Sequence, residues 1–229
     1  MISGFQSISD NGNFQVDSTF KNLAMVRKGT LTTQQYTNGA TTNTRPTRAA
    51  LSLADGEIVA FSCSVFCAVG ARVGTTLYLY ADSPAGAVIE YWIFRPGFTV
   101  GNFGLQVFNE VGDITFDSDW RLFDVRALIS GHTTTYLTPG RKYAAVHSQI
   151  NTNIEYVRMV SGQAPNSFYS FIRITSFSAA AINGGTITTA LANIDSWGTR
   201  PEPGGGQAYR ETYNNGITSL FLVIDVTGF

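Results

Sequence analysis

Apolar and polar residues alternate with a period of two along much of the chain, most legibly over residues 104–120, GLQVFNEVGDITFDSDW. Leu105 and Val107 alternate with Gln106 and Phe108, and Ile114 and Phe116 with Asp113 and Thr115, the signature of two short strands. Between them Asn109-Glu110-Val111-Gly112 suits a type I turn closed by a glycine at positive φ, so the stretch predicts a β-hairpin. Further strands are predicted near Leu23 and Met25 and over residues 58–69, 76–80, 88–94, 122–129, 142–150, 154–160, 168–177 and 220–226. The run VIEYWIF (88–94) is apolar on both faces, as a strand inside a sandwich is. Residues 29–48 run polar and threonine-rich and predict a loop or arm that reaches a neighbour. Residues 178–216 predict a long loop with a short helical turn at 188–194 and a Pro-Glu-Pro-Gly-Gly-Gly segment that excludes regular structure.

The hairpin pattern occurs twice. Gly4, Gln6, Gly12, Asp17 and Ser18 stand 100 positions before Gly104, Gln106, Gly112, Asp117 and Ser118, without a gap. Between the identities the residue class is kept: Phe5 answers Leu105, Ile8 answers Phe108, Phe14 answers Ile114, Phe20 answers Trp120 and Lys21 answers Arg121. Conserved turn glycine and strand phase together imply an internal duplication. Residues 220–226 are the expected counterpart of 88–94, with an offset of 132; Leu53-Ala-Asp-Gly56 and Leu137-Thr-Pro-Gly140 are alike but too short a match to count toward the duplication. The expected fold is all-β, with two tandem β-sandwich-like units, 1–98 and 99–229. Their boundary falls at 95–102, where Arg95-Pro96-Gly97 stops a strand, and the second unit carries the loop insertion 178–216.

The pattern Gly-apolar-Gln-apolar, a glycine turn, apolar-x-apolar-Asp-Ser and then an aromatic resembles the short hairpin that opens many small tail proteins of tailed bacteriophages. It is carried by residues 104–120 and more weakly by 4–20. The resemblance implies a β-rich structural or adhesive protein of a tail tip, baseplate or tail fibre, located in the virion and made in the bacterial host cytoplasm. It implies other tail proteins and further copies of the same chain as partners.

Composition narrows the function classes. A net charge of −1 with only 14% charged residues lacks the basic excess of a nucleic-acid binder. Aromatics at 13%, 23 glycines and abundant threonine favour strands and turns over helices. The start MISGFQSISDNG has no basic stretch followed by an apolar core, and no run is long enough to cross a membrane as a helix, so neither a secretory signal nor membrane insertion is expected. Cys63 and Cys67 fall in one alternating run. That run is expected to be the apolar face of one strand, where they stand about 13 Å apart, too far for a disulfide, so both are expected reduced and buried.

No constellation carries catalysis. His132 sits in a turn and His147 on a strand, and neither accompanies a nucleophile elbow. Asp113, Asp117, Asp119 and Asp124 lack the spacing of a calcium loop; Asp113 and Asp117 share strand parity opposite the apolar face, and these carboxylates are expected on a solvated face and as polar caps at strand ends. No metal or cofactor is expected, and the chain is not expected to be an enzyme. The candidate contact surface is Trp197, Tyr209, Tyr213 and Glu211 within 178–216, because exposed aromatic rings beside polar groups stack on sugars. Two function classes follow: a structural tail component assembled as a homo-oligomer, and a carbohydrate- or receptor-binding module that uses the 178–216 segment on a host surface glycan. One tail protein could combine them.

Overall fold

The structure, a computed structural model, describes residues 6–8, 14–17, 21–38, 41–83, 86–98, 104–161, 168–198, 202–203 and 209–229. Of these, 6–8, 14–17, 37–38, 41–45, 159–161, 168–172, 194–198, 202–203 and 209 are described by their backbone alone. No helix occurs among the described residues, and the fold is all-β and sandwich-like. The first strands are β1 (Gln6–Ile8), β2 (Phe14–Asp17), β3 (Leu23–Thr32), β4 (Gln34–Asn38), β5 (Thr41–Ser52), β6 (Ile58–Ser62), β7 (Cys67–Val73), β8 (Thr76–Ala81) and β9 (Val88–Pro96). There follow β10 (Gln106–Phe108), β11 (Ile114–Asp117), β12 (Val125–Ser130), β13 (Thr134–Tyr136), β14 (Tyr143–Gln149), β15 (Thr152–Ser161), β16 (Phe168–Asn183), β17 (Thr186–Gly198), β18 (Glu202–Pro203), β19 (Tyr209–Asn214) and β20 (Leu220–Asp225).

Two antiparallel sheets face each other. One has the order β12-β20-β14-β6-β9-β3; the other runs β13-β17-β16-β7-β8-β5-β4, with β15 and β18 also paired to β16 and β19 paired to β15. Val59, Phe61, Ile93, Phe221 and Val223 of the first sheet meet Leu51, Leu77, Leu79, Ile182 and Ile187 of the second in the main core. Each such side chain contributes about 1.5–3 kcal/mol on leaving water. The doubly apolar strands are explained by a second core on the outer face of the first sheet: Trp92 and Phe94 of β9 and Ile224 of β20 pack there with Val226, under Phe123 and Phe229.

Residues 121–124 help to cover that face. Met25 N donates to Arg121 O at 2.9 Å and Phe123 N to Leu23 O at 2.9 Å, on the outer edge of β3. One residue later Asp225 N donates to Asp124 O at 3.0 Å, and β12 continues along β20. A single segment therefore links the two opposite edges of the six-stranded sheet.

Each sheet has a seam. In the first, β14 meets β6 at Ala145 and Phe61, and in the second β16 meets β7 at Ala180 and Cys67. Strands on one side of both seams come from before residue 97, and those on the other side from after residue 124. The segments 1–98 and 99–229 are thus not separate in space, because they lie edge to edge and share both sheets and the main core.

Several expected elements are corrected. Most described residues of 178–216 are strand and not loop: β16 continues to Asn183, turns through Gly184 at φ 58° and returns as β17, so residues 188–194 are strand and not helix, while 199–201 and 204–208 lie outside the described residues. Glu202–Pro203 also pairs with β16 at Phe168 and Tyr169, despite the prolines around it. Residues 29–48 are not a free arm, since they form the end of β3, β4 and most of β5. Residues 58–69 are two strands, and the chain crosses from one sheet to the other between them. In β4, β5 and β17 many polar or small residues lie at positions where cross-strand pairing adds to the burial of the few apolar side chains.

Candidate functional site

The hairpin that carries the family resemblance owes its shape to its five repeated residues. Gly112 has φ 86° and its N–H donates to Asn109 O, while Asn109 Oδ1 accepts from Val111 N and Asp113 N at 3.2 and 2.7 Å. Gln106 stands opposite Asp117 and donates from Nε2 to its Oδ2 at 2.9 Å. Gly104 has φ 101°, and a Cβ there would lie 2.3 Å from Ser118 Oγ, which accepts from Leu105 N. The other hairpin repeats this pairing 100 positions earlier, residue for residue: Gln6 with Asp17, Ser7 with Val16 and Ile8 with Phe14, with the bulge at the same step. Gly4, Gly12 and Ser18 lie outside the described residues.

Asp117 corrects the expected solvated face but acts as the expected polar cap at a strand end. It is fully buried, and beyond Gln106 its carboxylate accepts from Asp119 N at 2.9 Å, closing the turn into Trp120. Asp113 is exposed and pairs with Lys21 at 2.7 Å; that bond and the one from Asn109 hold its carboxyl below the usual range. Among the described residues no group of three or more His, Cys, Asp or Glu could hold a metal ion. Cys63 and Cys67 are free and buried, and burial pushes both thiols up, Cys67 the more strongly. His132 is exposed. His147 stacks on Phe221, with ring centres 4.3 Å apart, and its Nε2 lies 2.7 Å from Ser178 Oγ, linking the two sheets.

The expected contact residues meet on one sheet surface, β19-β15-β16-β17. Glu211 pairs with Tyr156, Tyr156 with Arg173 and Arg173 with Trp197, so four residues form one rung across four strands. Two positions along, the backbone register sets Tyr213, Ile154, Thr175 and Asp195 opposite one another on one side, and Tyr209, Arg158 and Phe171 on the other, with Asp195 and Phe171 described by their backbone alone. Trp197 and Tyr209 are placed by backbone register alone. Tyr156 and Tyr213 meet edge to face with centroids 5.8 Å apart and remain 39% and 56% exposed. Tyr213 Oη donates to Glu211 Oε2 at 3.0 Å. With Ile154 these three side chains line an open depression of about 330 Å³. The depression joins exposed ring surface to an exposed carboxylate that accepts hydrogen bonds.

Sequence reasoning missed Tyr156 and Ile154, which lie in a stretch read only as a strand. Their signal was the period-two spacing Ile154, Tyr156, Arg158, which places three large side chains on one face. Comparison with protein-family models, with curated proteins and with solved structures returns no match.

Proposed function

We propose that the chain is a structural component of a bacteriophage tail, in its tip, baseplate or fibre, and that the Tyr156, Glu211 and Tyr213 face contacts a glycan on the host surface. The observation that carries the attachment reading is this exposed pair of tyrosines, one of them hydrogen-bonded to an exposed carboxylate, on a sheet surface. Tyrosine rings stack on the apolar face of a pyranose, and Glu211 accepts from its hydroxyls. The tail reading is supported by the hairpin resemblance over residues 104–120. The experiment is to purify particles made from the genome that carries this gene, find the protein by mass spectrometry, and measure adsorption of a Tyr156→Ala/Tyr213→Ala double variant. The expected result is a protein present in stoichiometric amount, with adsorption reduced at least about tenfold, or about 1.4 kcal/mol. Absence from the particles refutes the tail reading. Normal adsorption refutes the contact face.

We infer further that the two segments meeting at the seams arose by duplication. In the first, Val59 pairs with Ile93, Ala60 with Trp92 and Phe61 with Tyr91; in the second, Tyr143 pairs with Asp225, Ala144 with Ile224 and Ala145 with Val223. Every first member shifts by 84 positions and every second member by the 132 expected for that strand. Leu51 with Leu77 likewise answers Thr135 with Ile187, and the hairpin glycines Gly74 and Gly184 have φ 60° and 58°. Phe61 and Ala145, 84 positions apart, are also each other's neighbours across the seam, as residues beside an internal two-fold axis would be.

A further inference from the structure

An open pocket of about 630 Å³ lies where residues 120–126 pass from β3 to β20. Arg121, Arg126 and Arg141 line it together with two acidic side chains, Asp124 and Asp225, and with Phe229, whose main-chain O accepts from Lys28 Nζ. Both carboxylates are already committed. Asp225, 5% exposed, accepts from Arg141 Nη1 and lies 3.8 Å from Arg126 Nε, while Arg126 Nη2 pairs with Asp124. Arg121 is exposed, and among the described residues its guanidinium makes neither an ion pair nor a hydrogen bond.

The repeat supplies an internal comparison for that charge. Lys21 stands 100 positions before Arg121, and its charge is met by Asp113 at 2.7 Å. The residue 100 positions before Asp113 is Asn13, which carries no charge and lies outside the described residues. The carboxylate that balances one cation therefore has no counterpart in the sequence for the other. A network serving only to hold β12 against β20 would be complete with two arginines and two aspartates.

We propose that this pocket is a binding site for a singly charged carboxylate borne on a sugar, of the hexuronate kind. A guanidinium fork matches the two oxygens of a carboxylate. The one uncompensated charge suits a monoanion better than a phosphate dianion, and the half-buried Phe229 ring gives an apolar surface beside it for a pyranose. The site is separate from the tyrosine face and does not depend on it.

The test is isothermal titration of the full chain at low salt with galacturonate, galactose and inorganic phosphate, on the wild type and on Arg121→Gln. The variant removes an exposed side chain, so its melting midpoint stays that of the wild type. Galacturonate binds, galactose does not, raised salt weakens the binding, and Arg121→Gln lowers the affinity at least about tenfold. Equal binding of galactose and galacturonate, tighter binding of phosphate, or an affinity unaffected by Arg121→Gln would each overturn the assignment. The Tyr156→Ala/Tyr213→Ala protein binds galacturonate as the wild type does, which keeps this outcome distinct from the adsorption test.

Discussion

His147 shows how burial alone sets the chemistry of a side chain here. Its ring is enclosed between Phe221 and Ser178, and burial lowers its pKa from 6.5 to about 4, with a smaller opposing influence from the backbone at Gln149. Between pH 6.5 and 4 the unfolded chain takes up a proton that the folded protein does not, so stability falls as the pH falls through that window. The gap corresponds to roughly 3 kcal/mol at its acid end. Urea midpoints measured from pH 7.5 to 4 will show this decline, and a His147→Gln variant will lack it. Asp225 acts at lower pH: burial works against its charge, but the bonds from Thr227 and Arg141 outweigh it and hold the carboxyl below its ordinary value. The stability it contributes is present above that ordinary value and is lost as the pH falls through the depressed one. The sequence showed His147 on a strand, opposite a small apolar face, but not the serine that meets it, because Ser178 belongs to the other sheet.

At the level of elements, the hairpin of β10 and β11 was the most legible feature, since Asn109 and Gly112 act within a few residues of each other. A Cβ on Gly112 would meet nothing within 4 Å, so substitution there costs backbone strain alone. Gly112→Val will therefore destabilise the protein by about 1–3 kcal/mol, read as a shift in the denaturation midpoint, and Gly112→Asn by less. Strands held by distant partners were not legible. Thr186, Thr188 and Thr189 resemble loop residues in sequence, yet Thr189 accepts from Thr133 N and donates to Gly131 O, and Thr188 pairs with Thr134. The two cysteines were correctly expected to be buried, but for a wrong reason: the chain leaves β6 at Cys63 and enters β7 at Cys67, so spacing along one strand does not separate them. The tyrosine-bearing surface of the sheet was half legible. Tyr213 and Glu211 lay in the expected segment, but Tyr156 reaches them only through the β15–β19 pairing across more than fifty residues.

On the scale of the whole molecule, the seams decide how the protein unfolds. Phe61 and Cys67 pair with Ala145 and Ala180, and the main core takes side chains from both sides, so neither segment can lose its structure without exposing the interior of the other. Urea denaturation followed by tryptophan fluorescence and by far-ultraviolet circular dichroism will give one coincident transition. Two separated transitions would show that the sides unfold as independent domains.

The placement of β20 bears on synthesis as well. This strand lies between β12 and β14, and the outer-face core takes Leu222, Ile224 and Val226 from its run. A ribosome delivers it after every strand that it pairs with. Until residues 220–226 emerge, β12 has no neighbour in its sheet and β14 has only its contact at the seam, so the nascent chain carries unpaired apolar edges from the synthesis of β14 to that of β20. Completion of the sheet is thus a late event for this chain, and its yield in the cell depends on how long those edges are kept from other chains.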